Sequence, residues 1–172
     1  MLLVMIDKDP KKIARTILRN AAQKEPPTDL ARVLAYLRIH HERPWHLSQD
    51  VWEGLGRPAR GRTRFKTAGK PSGPNGRWKL AHEIAHHVLH GAVPHLRGGT
   101  WETHELEYEA DLLAAELLMP DPWVARALKK AGKEHESMDL EDLARTFQVG
   151  RQEMEKRLRQ LDLLKGEVLG RM

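Results

Sequence analysis

Apolar residues recur at helical spacing along most of this chain, and interruptions of that spacing mark the ends of helices. Asp9 and Pro10 suit the N-cap and first position of a helix that extends to about residue 24. Pro26, Pro27 and Thr28 end this pattern and cap a second helix through about residue 37. Further helices are predicted over residues 78–90, in a segment that ends at residue 119, and from about residue 121.

The helical spacing is lost between residues 38 and 78, where glycines, prolines and short polar-apolar alternations dominate. Arg64-Phe65-Lys66-Thr67 is one such alternation, which is typical of a strand. Gly and Pro between alternating segments indicate turns and loops. We therefore expect a small, irregular antiparallel sheet with long loops, which makes the fold class α+β.

Two more helical patterns, over residues 139–147 and 151–161, are joined by Gln148-Val149-Gly150. Helix, tight turn and helix is the order of a helix-turn-helix. We divide the chain into a core of residues 1–130 and a helix-turn-helix-like subdomain of residues 131–172 that packs on it. From Lys133 to Met172 there are eight Lys or Arg and nine acids, a net charge of −1. Direct DNA binding by this subdomain is therefore not favoured.

Residues 82–86 read His-Glu-Ile-Ala-His within one of the predicted helices. His82 and His86 are four positions apart, so both rings project from one helix face and can bind a single tetrahedral Zn²⁺. Glu83 then lies beside the metal as a general base. This is the H-E-x-x-H signature of zinc peptidases. Because 10 of 172 residues are His, the same five residues can also arise by chance on a charged surface helix.

A second segment, residues 107–111, offers the third protein ligand of the proposed zinc site. Two histidines alone leave a hydrolytic zinc site one protein ligand short. Glu107 is the favoured ligand, and Asp111 lies one turn beyond it, where its carboxylate can hold the free ring N–H of a ligand His. Glu109 is the alternative ligand, although it falls about 200° from Glu107 around a helix. His104, one turn before Glu107, is a third choice as ligand or a proton donor, and is equally consistent with a surface residue.

Two strings resemble the ImmA/IrrE family of zinc metallopeptidases. Residues 77–91, RWKLAHEIAHHVLHG, resemble the active-site helix of that family, and residues 107–120, EYEADLLAAELLMP, resemble its second helix, in which Phe usually replaces Leu113. The resemblance implies a mostly helical, minimal zincin-like core followed by a small helical subdomain. It also implies a site-specific endopeptidase that cleaves or inactivates a DNA-bound helix-turn-helix repressor and so derepresses stress-response or mobile-element genes.

In the mechanism that these residues imply, Zn²⁺ held by His82, His86 and Glu107 leaves one position open for water. Glu83 takes a proton as the water attacks a peptide carbonyl, and passes it to the leaving amine. A side chain that donates to the oxyanion is also expected. His104, Tyr108 and Arg97 are the candidates, and the sequence does not choose among them.

Composition limits the alternatives. The chain has no Cys, which excludes disulfides and thiolate ligands, so zinc must be bound by His and carboxylate. The apolar residues 1–6 stop at Asp7 and are too short for a signal peptide or a membrane span, so we expect a cytoplasmic protein without membrane partners.

Charge is uneven along the chain. Residues 54–82 contain eight Lys or Arg and no acid, whereas residues 98–125 contain seven acids and no base. The acidic part includes the proposed ligands and suits a divalent cation. The basic part, residues 57–79, suits DNA, an acidic partner or solvent alone. The competing hypothesis is therefore a non-enzymatic, DNA-associated transcriptional regulator with a structural or sensory metal site. Glu83 argues against it, because a structural site needs no base.

Overall fold

A computed structural model describes residues 9–41, 64–65, 73–90, 101–130 and 140–164. Helices make up most of this part of the chain. The first helix ends at Asn20 rather than at about residue 24, and the helix that contains residues 82–86 begins at Gly73, five residues earlier than predicted. In chain order the elements are α1 (Pro10–Asn20), α2 (Leu30–Leu37), β1 (His40–His41), β2 (Arg64–Phe65), α3 (Gly73–His90), α4 (Trp101–Leu118), α5 (Asp121–Lys130), α6 (Leu140–Phe147) and α7 (Arg151–Gln160).

The predicted antiparallel sheet, and with it the α+β class, is wrong. Within the described residues the strand pairing consists of β1 and β2, two residues each, which run parallel with His40 opposite Arg64. Strands this short form few ladder hydrogen bonds and offer no hydrophobic face that helices could cover. The alternation at residues 64–67 is too brief to specify more than this. Residues 73–77, at the end of the stretch in which the sheet was predicted, belong to α3 instead. Residues 42–63 and 66–72 of that stretch lie outside the described residues.

The start of α2 is fixed differently from the prediction. Asp29, not Thr28, caps the helix, because its Oδ1 accepts from the backbone N–H of Ala31 at 2.9 Å. Thr28 is buried instead, and its hydroxyl donates to the carbonyl of Leu117 at 2.7 Å. The Thr28 carbonyl accepts from Arg77 Nη2 at 2.8 Å. Burial lowers the pKa of Arg77, while the charge of Asp29 opposes that shift. This corner therefore ties α2 to both α3 and α4.

Helices α3 and α4 pack against each other and form the centre of the hydrophobic core, and α1 packs on α4. Alanines on both central helices, including Ala81, Ala85, Ala110 and Ala114, are fully buried. Small side chains allow the two backbones to approach closely, which brings the polar residues beside them within bonding distance. Leu113, the α4 residue at which the sequence differs from the family pattern noted above, is also fully buried.

Helices α6 and α7 join the same core through Phe147, Met154 and Leu158. Their connecting turn places Gln148 in the left-handed region, at φ 53°, and Gly150 serves as the N-cap of α7. The division of the chain at residue 130 into a core and a helix-turn-helix-like subdomain packed on it stays a prediction. No helix in the described ranges combines the length and apolar content needed to cross a membrane.

Candidate metal centre

Two histidines of α3 face each other across one helical turn. The helix extends from Gly73 to His90, and its apolar residues Leu80 and Ile84 are completely buried, which fixes its rotation against the core. His82 and His86 lie at the edge of this buried face, with side-chain exposures of 20% and 9%. Their Nε2 atoms are 2.9 Å apart. The two rings therefore present their outer nitrogens to the same point.

Glu107 of α4 closes this point from the opposite helix. Its Oε2 lies 3.1 Å from His82 Nε2, and its Oε1 lies 3.4 Å from His86 Nε2. Ligand atoms of these three residues all lie within 4.8 Å of one another. Tetrahedral zinc with bonds of about 2.1 Å places its ligand atoms about 3.4 Å apart. The donor set of two imidazoles and one carboxylate, at these separations, fits a divalent metal.

Asp111, one turn beyond Glu107, holds the far side of His82. Its Oδ1 lies 3.0 Å from His82 Nδ1. An ionised carboxylate can only accept, so Asp111 favours the tautomer that has its proton on His82 Nδ1, in which the Nε2 lone pair is available to a metal. Asp111 is itself paired, because Lys156 Nζ of α7 donates to its Oδ2 at 3.0 Å. The orientation of His82 thus depends on a residue 45 positions beyond Asp111.

Glu109, the alternative ligand, lies elsewhere. Its Oε2 is 2.9 Å from Nε2 of His90, and His90 Nδ1 is 3.1 Å from His86 Nδ1. The separation of about 200° around α4 explains why Glu107 and Glu109 reach different histidines. Sequence reasoning missed the contact of His90 with His86, although their spacing of four helical positions was a signal for it.

The remaining candidates do not converge on this point. Glu83 follows His82 on α3 and is half-buried, and it is not one of the three grouped residues. His104 is exposed and Tyr108 is 62% exposed, and neither joins the group. Burial lowers the pKa of the neighbouring His87, which favours its neutral form. Arg97 lies outside the described residues.

The model of the IrrE N-terminal-like domain, peptidase family M78, matches residues 72–159. The chain belongs to this family. The match spans α3 and α4, which carry the three converging residues, and continues through most of α7. It confirms the ImmA/IrrE resemblance and identifies the chain as a member of a metallopeptidase family. Searches of curated proteins and of solved structures found no match.

Proposed function

We propose that this M78 family member is a zinc-dependent endopeptidase whose metal is bound by His82, His86 and Glu107. The observation that carries the proposal is the convergence of three donors of the right chemistry, with Nδ1 of His82 held by Asp111. Carboxylate and imidazole without thiolate are typical of catalytic zinc, which keeps a coordination position open.

Zinc, when bound, supplies Lewis acidity that polarises a peptide carbonyl and makes water easier to deprotonate. Side chains of the protein transfer the proton and orient the ligands. Glu83 accepts the proton from the attacking water on its carboxylate and transfers it to the nitrogen of the leaving amine. Its position next to His82 on α3, and its half-buried side chain, support this role. Asp111 keeps the His82 ring in the tautomer that the centre requires.

The candidates for the group that stabilises the oxyanion are His104, Tyr108 and Arg97, of which the first two belong to the described part of the chain, on α4. Tyr108 and His104 both project from the exposed part of this helix, close in sequence to Glu107. Tyr108→Phe removes one hydroxyl, and His104→Ala removes one imidazole. The variant of the true donor should lower kcat by about 100-fold or more with little change in KM.

The substrate that we propose is a cytoplasmic helix-turn-helix repressor whose cleavage derepresses stress-response or mobile-element genes. Membership of the IrrE-like family supports a peptidase, and the charge around the site supports a basic substrate. Residues 98–125 carry seven acids and no base, and Glu105 and Glu107 on α4 are exposed. Such a surface attracts the basic surface that a DNA-binding protein presents.

The test is incubation with the repressor-like product of a neighbouring gene, followed by mass spectrometry of the fragments. Cleavage at one site, abolished by a chelator and restored by Zn²⁺, is the expected result. Glu83→Gln is the matched control, since the amide cannot accept the proton. Equal cleavage by this variant would show that a contaminating protease is responsible, or that Glu83 is not the base.

The same experiment, combined with a DNA-binding measurement, distinguishes the zinc peptidase from a non-enzymatic regulator. The run of eight Lys or Arg in residues 54–82 is what favours a DNA-associated regulator. That function requires DNA binding that weakens steeply as salt is added. An intact repressor combined with salt-dependent DNA binding by the peptidase-like protein would favour the alternative over the enzyme.

A further inference from the structure

His86 is connected to a chain of groups that the reaction itself does not use. Its Nδ1 lies 3.1 Å from His90 Nδ1, and His90 Nε2 lies 2.9 Å from Glu109 Oε2. The two rings are tilted by 57° with centroids 5.3 Å apart, so the contact is made edge to edge rather than by stacking. His90 is the last residue of α3, and its side chain is only 11% exposed.

The positions of the protons in this row of hydrogen-bonded side chains can be assigned by starting from Glu109. Glu109, when ionised, only accepts, so the proton between it and His90 belongs to His90 Nε2. A neutral His90 then has a bare Nδ1, which can only accept. The proton between the two rings must therefore sit on Nδ1 of His86. This leaves the Nε2 lone pair of His86 directed towards His82 and Glu107, which is the state that a metal ligand requires.

We propose that His90 and Glu109 are positioning residues that hold His86 in its metal-binding tautomer and orientation. The proposal rests on the proposed zinc site. Asp111 orients the His82 ring by a direct hydrogen bond to its Nδ1. Glu109 orients the His86 ring in the same way but indirectly, because the imidazole of His90 lies between them. Because His86 and His90 are both nearly buried, water competes poorly for their hydrogen bond, which makes it stronger than an exposed one.

His90 does not act as a further ligand of the same metal. It is eight residues from His82, a rise of about 12 Å along α3. Its Nδ1 faces the nitrogen of His86 that points away from the centre, and its Nε2 faces Glu109. Both nitrogens are thus engaged on the far side of His86, where they can orient that ring.

The test measures zinc affinity by competition with a chelator of known strength, in the full chain. His90→Leu removes both bonds at similar volume and should weaken zinc binding about 10- to 100-fold. His90→Asn keeps an oxygen near the place of Nδ1 and should recover part of the loss. Glu109→Gln should weaken binding about 3- to 10-fold. Its matched control is Glu105→Gln, which removes the same charge one turn earlier on α4 and should leave zinc affinity unchanged.

A second readout follows the protons directly. Long-range ¹H–¹⁵N spectra of the zinc-loaded wild-type protein should show His90 with its proton on Nε2 and His86 with its proton on Nδ1. A proton on His90 Nδ1 would overturn the proposal. This spectrum reports the tautomers in the unaltered chain, and so decides the matter even where a variant fails to fold.

The outcomes distinguish this inference from the proposed function. A wild-type chain that binds no zinc overturns both. If the wild-type chain binds zinc and the His90→Leu variant binds it as tightly as the Glu105→Gln variant, the positioning role of His90 and Glu109 is overturned. The proposal of a zinc peptidase is then unaffected. A loss in His90→Leu that His90→Asn does not recover at all also overturns it, since ring packing would then be the cause. If His90→Leu does not fold, equal affinities of Glu109→Gln and Glu105→Gln overturn it.

Discussion

Replacing Arg157 by Met should strongly destabilise the protein, because it leaves a carboxylate buried without a partner. Arg157 Nη2 of α7 lies 2.6 Å from Glu116 Oε1 of α4, and the two side chains are 3% and 5% exposed. Nη2 has no hydrogen-bond partner among the described residues, so this contact is an ion pair without good hydrogen-bond alignment. Arg157 Nε also donates to the carbonyl of Met119 at 3.0 Å.

The expected magnitude follows from that burial. Removing one partner of a buried ion pair costs about 3–5 kcal/mol, whereas replacing both by apolar residues is often nearly neutral. Arg157→Met and Glu116→Leu should each lower the free energy of unfolding by about that amount. The double variant should lose much less than the sum of the two. For a chain of this size, each 1 kcal/mol shifts Tm by about 2–4 °C, so each single variant should melt about 6–20 °C lower.

The assay is a double-mutant cycle by urea unfolding, with the exposed ion pair of Lys11 and Asp121 as control. That pair has side-chain exposures of 46% and 36%, so Lys11→Met should cost about 1 kcal/mol or less. Single variants at Arg157 or Glu116 that cost no more than Lys11→Met would refute the reasoning. Additive losses in the double variant would also refute it, because they would show that the two charges do not depend on each other.

Three further predictions concern the site and the substrate. Glu83→Gln should keep its zinc and its fold but lose peptide cleavage, and loss of zinc from this variant would make Glu83 a ligand. By metal analysis, Glu107→Gln should weaken zinc binding most, Asp111→Asn by about 10- to 100-fold, and Glu109→Gln least; the reverse order for the two glutamates would contradict the observed rotation of α4. Casein should be cut much more slowly than a folded repressor in a gel assay, and equal rates would indicate a non-specific protease.

Local pattern predicted the existence of the helices because most of them bury one face, whereas α4 is buried all round over residues 113–118. Asp9 before α1, Pro10 at its first position and Pro120 after α4 mark bounds that the structure shows, whereas α1 ends at Asn20 rather than at about residue 24 and α3 begins at Gly73 rather than at residue 78. The sheet could not be predicted in this way. Four alternating residues at 64–67 carry too little information to separate a strand from a loop that pairs over two residues.

The site was predictable as far as helical spacing reaches. Positions 82 and 86, and positions 107 and 111, are each one turn apart, so their shared faces follow from the sequence. Their convergence depends on the packing of α3 against α4, which spacing alone does not determine. The pairing of Lys156 with Asp111 depends on where α7 docks, and no local pattern indicates it. Thr28 shows the same limit, since a buried tertiary hydrogen bond replaces the cap that its position suggested.

The central claim is that His82 and His86 bind the metal of a zinc peptidase, and metal content tests it most directly. Zinc should be measured by mass spectrometry in the purified wild-type chain and in the His82→Ala, His86→Ala double variant, after both are loaded with zinc and desalted. We predict one Zn²⁺ per wild-type chain and almost none in the double variant, which should remain helical by circular dichroism. Full occupancy of the double variant, or a folded wild-type chain that retains no zinc, would contradict the account.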